Sequence, residues 1–393
     1  MKVLIFDASN EGWETSRGFE NVDVPRPVLD EKNNPSDAHY VIIKVRYAGV
    51  CGSDRGIWYR HAFRDQILQS IEVESKLSAS GAKNYRIMGH EFFGEVIATG
   101  TRVKNITIGD LVTCESHVVC NQCYQCVRGE QHVCTNEKIL GISHDGGFAE
   151  CVKVPGHIVW KTDTSKIRPE IAAMQEPFGN AVHAASKVDV KDKTIAIFGL
   201  GPIGMLLTLI VKAMGAKRVI GVEPDPIAVE MAKRLGMDYM IPLQRSSSAK
   251  TENREYYHNQ EVIDEIKNIT HGIGVDISFE MAGFNSSVNN CLYATRRGGE
   301  IVLFGIKNGD FIFEDYSRLI MRGYTLHCVI GRQVWKTWET TRAILEDRGN
   351  GIQEKIFKVI LNGGNGTILP IGEYTKEVFE KKMAAYPKIL IQF

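Results

Sequence analysis

The sequence predicts an α/β protein of two domains, one a doubly wound parallel sheet and the other β-rich with a metal-binding lobe. Three observations predict it. From about Ile171 onward, helix-length apolar segments alternate with short runs rich in Val and Ile, the pattern of βαβ units on a parallel sheet. A glycine run, Gly199-Leu200-Gly201-Pro202-Ile203-Gly204, stands between one such run and a helical stretch. Four cysteines crowd into residues 120 to 134, within a stretch of short β-type runs separated by Gly, Pro, Asn and Asp.

Taken in order, the amino-terminal MKVLIFDASN reads as a first strand; it lacks the basic segment, apolar stretch and cleavage site of a secretion signal. Val41 to Tyr47 and Glu95 to Ala98 are further strands of a domain, up to about residue 157, that is all-β and partly barrel-like. The parallel-sheet strands are Thr194 to Phe198, Arg218 to Val222, Val275 to Phe279 and Glu300 to Phe304. After Gly331 a helical stretch with Trp335 and Trp338 leads to short strands ending at Ile389 to Phe393 that return to the first domain. The expected division is therefore 1–157 with 330–393, and 158–329. Two polar stretches, 62 to 86 and 244 to 261, read as insertions, the first helix-compatible and the second an exposed loop or a loop before a helix.

A chain of 393 residues exceeds what one core usually serves. Its 44% hydrophobic and 24% charged residues are globular in composition, and no apolar window of about eighteen residues suggests a membrane span. The 47 basic and 47 acidic residues cancel, with no long run of like charge to mark a nucleic-acid or membrane-binding face. Small molecules and other subunits are the expected partners. Nine cysteines in an unsecreted chain point to metal and thiolate chemistry before disulfides, and the expected location is the cytoplasm.

Cys120, Cys123, Cys126 and Cys134 form C-x2-C-x2-C-x7-C, four thiolates within reach of one centre, as tetrahedral zinc at about 2.3 Å per bond requires. With four positions filled the metal would be structural. An iron–sulfur cluster also takes four thiolates, but its common bacterial spacing differs and places a proline after the last cysteine, where this chain has Thr135.

A second, open site is composed more loosely. Cys51, in Gly49-Val50-Cys51-Gly52-Ser53-Asp54, follows a β run, and Gly89-His90-Glu91 precedes another, so thiolate and imidazole can both sit at strand ends. Glu176, in Glu176-Pro177-Phe178-Gly179-Asn180, can close the set. Mixed Cys, His and carboxylate ligation with a position left open marks catalytic zinc. Singly, Cys51 reads as a small buried hydrophobe, His90 as a hydrogen-bonded core histidine, and Glu91 or Glu176 as a capping or surface carboxylate; the metal reading rests on their joint occurrence.

The run Thr194-Ile195-Ala196-Ile197-Phe198 followed by Gly199, Gly201, Pro202, Ile203, Gly204 and a helix to Met214 is G-x-G-x-x-G between strand and helix, the Rossmann fingerprint for a pyrophosphate at a helix start. A second β run ends at Glu223, about 20 residues on, where a carboxylate accepts from ribose hydroxyls and repels a 2′-phosphate. Pro224 and Asp225 supply no arginine for such a phosphate, so NAD is the expected cofactor.

With these motifs in this order the sequence resembles the medium-chain zinc-dependent alcohol dehydrogenase superfamily over nearly its whole length. Within it the chain is most similar to the L-threonine 3-dehydrogenases, through Glu115-Ser116-His117-Val118-Val119-Cys120, Glu176 to His183, and Gly331-Arg332 followed by Thr337-Trp338. The resemblance implies a GroES-like β-rich catalytic domain with a zinc lobe joined to the Rossmann domain. It also implies one catalytic and one structural zinc per chain, with Cys51, His90 and Glu176 as catalytic ligands and Glu91 as a fourth ligand or one that exchanges with water. Ser53 occupies the hydroxyl position that passes the alcohol proton outward. The implied assembly is a homo-oligomer, tetramer or dimer. The implied reaction is oxidation of a polar secondary alcohol by hydride transfer to NAD+, L-threonine first, a polyol, sugar or amino-sugar alcohol as the alternative. Threonine dehydrogenases typically carry a histidine where this chain has Gly56, and Cys51-Gly52-Ser53-Asp54-Arg55 is closer to some sugar dehydrogenases. A dinucleotide-binding protein without catalysis is the reading outside enzymes.

Overall fold

The structure is a computed structural model that describes residues 1–9, 12–77, 83–243, 256–306 and 309–393. Residues 244–255, most of the second polar stretch, lie outside the described residues, as do 78–82 of the first. The chain divides into two compact units, Met1–Pro177 with Arg342–Gly349 and Ile356–Phe393, and Phe178–Thr341 with Asn350–Lys355.

The strands run in chain order as β1 (Lys2–Asp7), β2 (Glu20–Asp23), β3 (Tyr40–Gly49), β4 (Tyr85–Ile87), β5 (Glu91–Thr99), β6 (Leu111–Cys114), β7 (His117–Val118), β8 (Lys138–Ile139), β9 (Cys151–Pro155) and β10 (Val159–Lys161). Then come β11 (Thr194–Phe198), β12 (Arg218–Glu223), β13 (Tyr239–Pro242), β14 (Val275–Glu280), β15 (Thr295–Leu303) and β16 (Thr325–Cys328), and finally β17 (Ile368–Pro370) and β18 (Leu390–Gln392).

In the first unit, β10, β6, β5, β3, β18 and β17 form one sheet in that order, with β9 also on β3. The long strand β3 organises it: Val41, Ile43 and Val45 alternate inward into a core with Val96, Val112, Val152 and Ile391, as a period of two requires. This unit runs past residue 157 because β10 pairs antiparallel with β6. The carboxyl-terminal strand β18 pairs with β3 of this unit.

The helix-compatible insertion is a helix, Arg64–Leu77. Ile67 and Ile71, one turn apart, are buried in the same core, the spacing that puts two side chains on one helix face. Its other attachment is polar. Arg86, fully buried, reaches Glu74 at 3.0 Å and Ser70 at 2.9 Å on this helix and Asp145 at 3.2 Å on the loop before β9.

The second unit holds a six-stranded parallel sheet in the order β13-β12-β11-β14-β15-β16. β11 is buried along Ile195–Phe198, as an inner strand covered on both faces must be. The order in which the chain adds strands reverses between β11 and β14, the place where doubly wound sheets open a crevice at their carboxyl ends. Among the described residues no helix is long and apolar enough to cross a membrane.

Candidate active site

Register in the first unit explains why residues distant in sequence converge. Gly49 at the end of β3 lies opposite Glu91 at the start of β5 and opposite Leu390 of β18 on its other side. Cys51 follows as the N-cap of the helix Gly52–Trp58, and His90 stands one residue before β5. The ligand atoms of Cys51, His90 and Glu91 all lie within 4.8 Å of one another. Gly89 turns the chain into this position at φ +86°, and a Cβ there would lie 2.2 Å from the Phe148 ring, so two independent constraints demand glycine.

Ser53 Oγ is 3.2 Å from His90 Nε2, at the edge of this group. Asp54, fully buried, accepts from the Cys51 backbone N–H at 2.9 Å and lies 3.7 Å from His90 Nδ1. Burial pushes its carboxyl up to about 6. Burial alone would lower the His90 imidazole, but Asp54 and Cys51 outweigh it and hold the imidazole well above its usual value. A centre whose negative groups stabilise positive charge so strongly suits a cation. Glu91 Oε1 is buried with no hydrogen-bond partner among the described residues, an arrangement that costs free energy unless such an ion completes it.

Glu176 is buried but its carboxylate lies outside the 4.8 Å group formed by Cys51, His90 and Glu91. Its Oε1 accepts from Ser116 Oγ at 2.7 Å. Sequence reasoning missed Lys388, which is 1% exposed, forms a close ion pair with Glu91 Oε2 and donates to the Val50 carbonyl at 3.1 Å. Only the β18–β3 pairing brings it here. Gly49 leaves room for the pair: a Cβ would lie 2.3 Å from Glu91 Oε2 and 3.2 Å from Lys388 Nζ.

The two features that set this segment apart from the threonine dehydrogenase pattern have local structural reasons. A Cβ on Gly56 would approach Ala62 to 3.0 Å, and the His61 N–H donates to the Gly56 carbonyl at 2.7 Å. The chain entering the inserted helix thus occupies the space beside residue 56. Arg55 donates to the carbonyls of Met383, Tyr386 and Pro387 at 2.8, 2.7 and 2.9 Å, capping the end of the helix Lys376–Ala385 as a cation at a helix C-terminus does.

The sulfurs of Cys120, Cys123, Cys126 and Cys134 also lie within 4.8 Å of one another. Cys123 and Cys134 are 3.8 Å apart and Cys134 and Cys120 3.5 Å, close to the edge of about 3.8 Å of a tetrahedron with 2.3 Å zinc–sulfur bonds. Backbone N–H groups favour the thiolate form at two of them, that of Gln122 lowering the Cys120 thiol and that of Cys126 bringing Cys123 to about 5, whereas burial pushes Cys126 up to about 12 and raises Cys134.

In the second unit, the glycine run leaves β11 and enters the helix Pro202–Ala213. Gly199 takes φ +94° and a Cβ would meet Ala282 at 2.7 Å; on Gly204 it would lie 2.1 Å from the Gly199 carbonyl oxygen. Pro202 and Ile203 form the first turn, where proline lacks only a donor the helix does not use. Gly201 differs, since a Cβ there would meet nothing within 4 Å. Protein packing does not require that glycine, which leaves a bare helix start open to a ligand. Glu223 ends β12 with Oε2 accepting from the Leu200 N–H at 2.6 Å and Oε1 from the Asp225 N–H at 3.0 Å.

Known proteins share this architecture. Residues 37–164 match the family described as alcohol dehydrogenase GroES-like domain and residues 202–347 the one described as zinc-binding dehydrogenase. The L-threonine 3-dehydrogenase of Pyrococcus horikoshii is 35% identical over 326 residues, 83% of this chain and 82% of its own. That of Caldanaerobacter subterraneus is 32% identical over 337 residues, 86% of each chain. The chain belongs to the medium-chain zinc alcohol dehydrogenase family. Among solved structures, galactitol-1-phosphate dehydrogenase from Escherichia coli superimposes with a TM-score of 0.77 at 21% identity over 100% of both chains. A 2R,3R-butanediol dehydrogenase from Bacillus subtilis reaches 0.74 at 22% identity over 100% of this chain and 99% of that one. As a zinc-dependent alcohol dehydrogenase the chain is an oxidoreductase that uses zinc and a nicotinamide dinucleotide, and both clusters and the glycine run fit those groups.

Proposed function

We propose that this dehydrogenase oxidises a polar secondary alcohol to a ketone with NAD+, and that L-threonine is its substrate. The observation that carries the chemistry is the convergence of Cys51, His90 and Glu91 within 4.8 Å with Ser53 beside His90. When bound, zinc would supply a Lewis acid for the alcohol oxygen and the dinucleotide a hydride acceptor. The chain's own residues do the rest. Cys51, His90 and Glu176 would hold the metal, with Glu91, which lies within 4.8 Å of the Cys51 and His90 ligand atoms, as a fourth ligand or one that exchanges with water. Ser53 accepts the hydroxyl proton and passes it on. Asp54 holds Cys51 and His90 in place, and Cys120, Cys123, Cys126 and Cys134 hold a second, structural zinc. Gly199, Gly201, Pro202, Ile203 and Gly204 would cradle the pyrophosphate at a helix start, and Glu223 would take the ribose hydroxyls and repel a 2′-phosphate.

The relatives named L-threonine 3-dehydrogenase support the substrate. The likeness of Asp54-Arg55 to sugar dehydrogenases counts for less, because Arg55 spends its guanidinium on three backbone carbonyls. A polyol, sugar or amino-sugar alcohol remains the second reading because Gly56 stands where threonine dehydrogenases carry a histidine. A panel of L-threonine, sorbitol, galactitol, glucose and ethanol, followed by NADH absorbance, decides between them. The highest kcat/KM is expected with threonine and the lowest with ethanol, and NAD+ ahead of NADP+. A polyol turning over while threonine does not would remove the threonine assignment and leave the zinc chemistry; ethanol as best substrate would remove both readings.

The enzyme is further proposed to act in the cytoplasm, where a reducing environment keeps the four-cysteine lobe ready for metal. Its proposed assembly is a homo-oligomer, a tetramer or a dimer. The edge strand β16 and the helix Tyr316–Arg322 support this, for Tyr316, Ile320, Met321, Leu326 and Ile330 are exposed there, a concentration of apolar surface that marks interaction sites.

A further inference from the structure

Ser116 has no role in the chemistry described so far, yet it is 2% exposed and touches Glu176. Its backbone is held on both sides: Glu115 donates to the Ile158 carbonyl at 2.9 Å, and the Leu140 N–H donates to the Ser116 carbonyl at 3.0 Å. The Ser116 hydroxyl lies 2.7 Å from Glu176 Oε1 and 3.4 Å from His117 Nδ1.

Hydrogen-bond bookkeeping assigns its proton. Glu115 Oε1 accepts the His117 backbone N–H at 3.0 Å and lies 3.0 Å from His117 Nδ1. An ionised carboxylate can only accept, so the ring nitrogen it bonds carries the hydrogen. Nδ1 is then a donor and cannot accept from Ser116. A hydroxyl has one proton, and the Glu176 carboxylate accepts it at 2.7 Å.

We propose that Ser116 is a positioning residue of the open zinc site: its hydroxyl, turned by the Glu115–His117 pair, grips Glu176 through Oε1 and orients that carboxylate toward the metal. The proposal rests on the reading of Glu176 as a zinc ligand. Such outer partners hold a ligating carboxylate in the geometry the metal needs, and losing one typically weakens metal binding about 10–100-fold. Glu115 acts one step further out, by keeping the His117 proton on Nδ1.

The test follows zinc release from the loaded enzyme to a chromogenic chelator, where the open site empties in a fast phase and the four-cysteine lobe in a slow one. Ser116→Ala should speed the fast phase about 10–100-fold and leave the slow phase unchanged. Ser116→Thr, which keeps the hydroxyl, should stay within about threefold of the wild type. Glu115→Gln should speed the fast phase by less than Ser116→Ala. Cobalt(II) placed in the open site gives a second readout, its visible spectrum shifting in Ser116→Ala and not in Ser116→Thr. A wild-type fast phase in Ser116→Ala, or equal acceleration of both phases, would overturn the proposal. Glu176→Ala separates it from the reading beneath it. If that variant releases the fast zinc quickly and Ser116→Ala does not, only the Ser116 role falls. If Glu176→Ala also releases zinc at the wild-type rate, Glu176 is no ligand and both fall.

Discussion

Lys388 shows how much one residue outside every motif can carry. It is a buried ammonium whose partners are the Glu91 carboxylate and the Val50 carbonyl, at a site where charges separated from water must be paired to be tolerated. Lys388→Met strands a buried carboxylate beside the ligand group, and the expected loss is about 3–5 kcal/mol of stability, read as a lower midpoint in denaturant. Adding Glu91→Gln removes the stranded charge and should restore part of that loss. A double variant no more stable than Lys388→Met would show that the pair does not account for the effect. Cys51, His90 and Glu91 were legible in the sequence because thiolate, imidazole and carboxylate are the ligand types zinc takes. A lysine five residues from the end announces no such chemistry.

The glycine run separates two uses of one residue type within a single element. Gly204 must be glycine for the fold, since a Cβ would lie 2.1 Å from a backbone oxygen that cannot move aside, whereas a Cβ on Gly201 meets only open space. Gly201→Ala should therefore keep the wild-type thermal midpoint and raise KM for NAD+ several-fold, while Gly204→Ala should lower the midpoint. Equal loss of stability in both would mean that packing, and not ligand approach, explains Gly201. Among the strands, the sequence pattern finds β11, β12 and β14, whose apolar runs are continuous because both faces are covered. It misses β13 and β16. These are short edge strands, β16 mostly exposed and β13 half so, so Tyr239–Pro242 and Thr325–Cys328 carry neither a long apolar run nor a clear alternation. β15 begins at Thr295, earlier than Glu300, because Arg296 to Gly299 join through an irregular register that no period reveals.

At the scale of the molecule, β16 leaves one edge of the parallel sheet unpaired among the described residues, with its own Leu326 38% exposed and Ile320 and Met321 of the preceding helix 69% and 75% exposed. An edge of this kind is satisfied by a second copy running antiparallel to it about a twofold axis, the commonest symmetry of homo-oligomers. Sedimentation of the wild type should show a dimer or a tetramer, and Met321→Glu with Leu326→Lys should shift it toward a smaller species. A wild-type monomer at micromolar concentration would remove the oligomer reading.

What the chain declares along its length is local chemistry: four thiolates at metal spacing, a glycine turn between strand and helix, a carboxylate at the end of the next strand, and the alternation that makes a parallel sheet. These depend on near neighbours, and near neighbours in sequence are neighbours in space. The convergence of Gly49, Glu91 and Lys388 depends on strand register across 297 positions between Glu91 and Lys388, which no local pattern encodes. The same holds for the hydroxyl of Ser116, read in the sequence only as part of a family motif. Its meaning comes from a proton that His117 cannot take and a carboxylate 60 residues away that can. Side-chain type is written in the sequence, whereas which donor meets which acceptor is settled by packing.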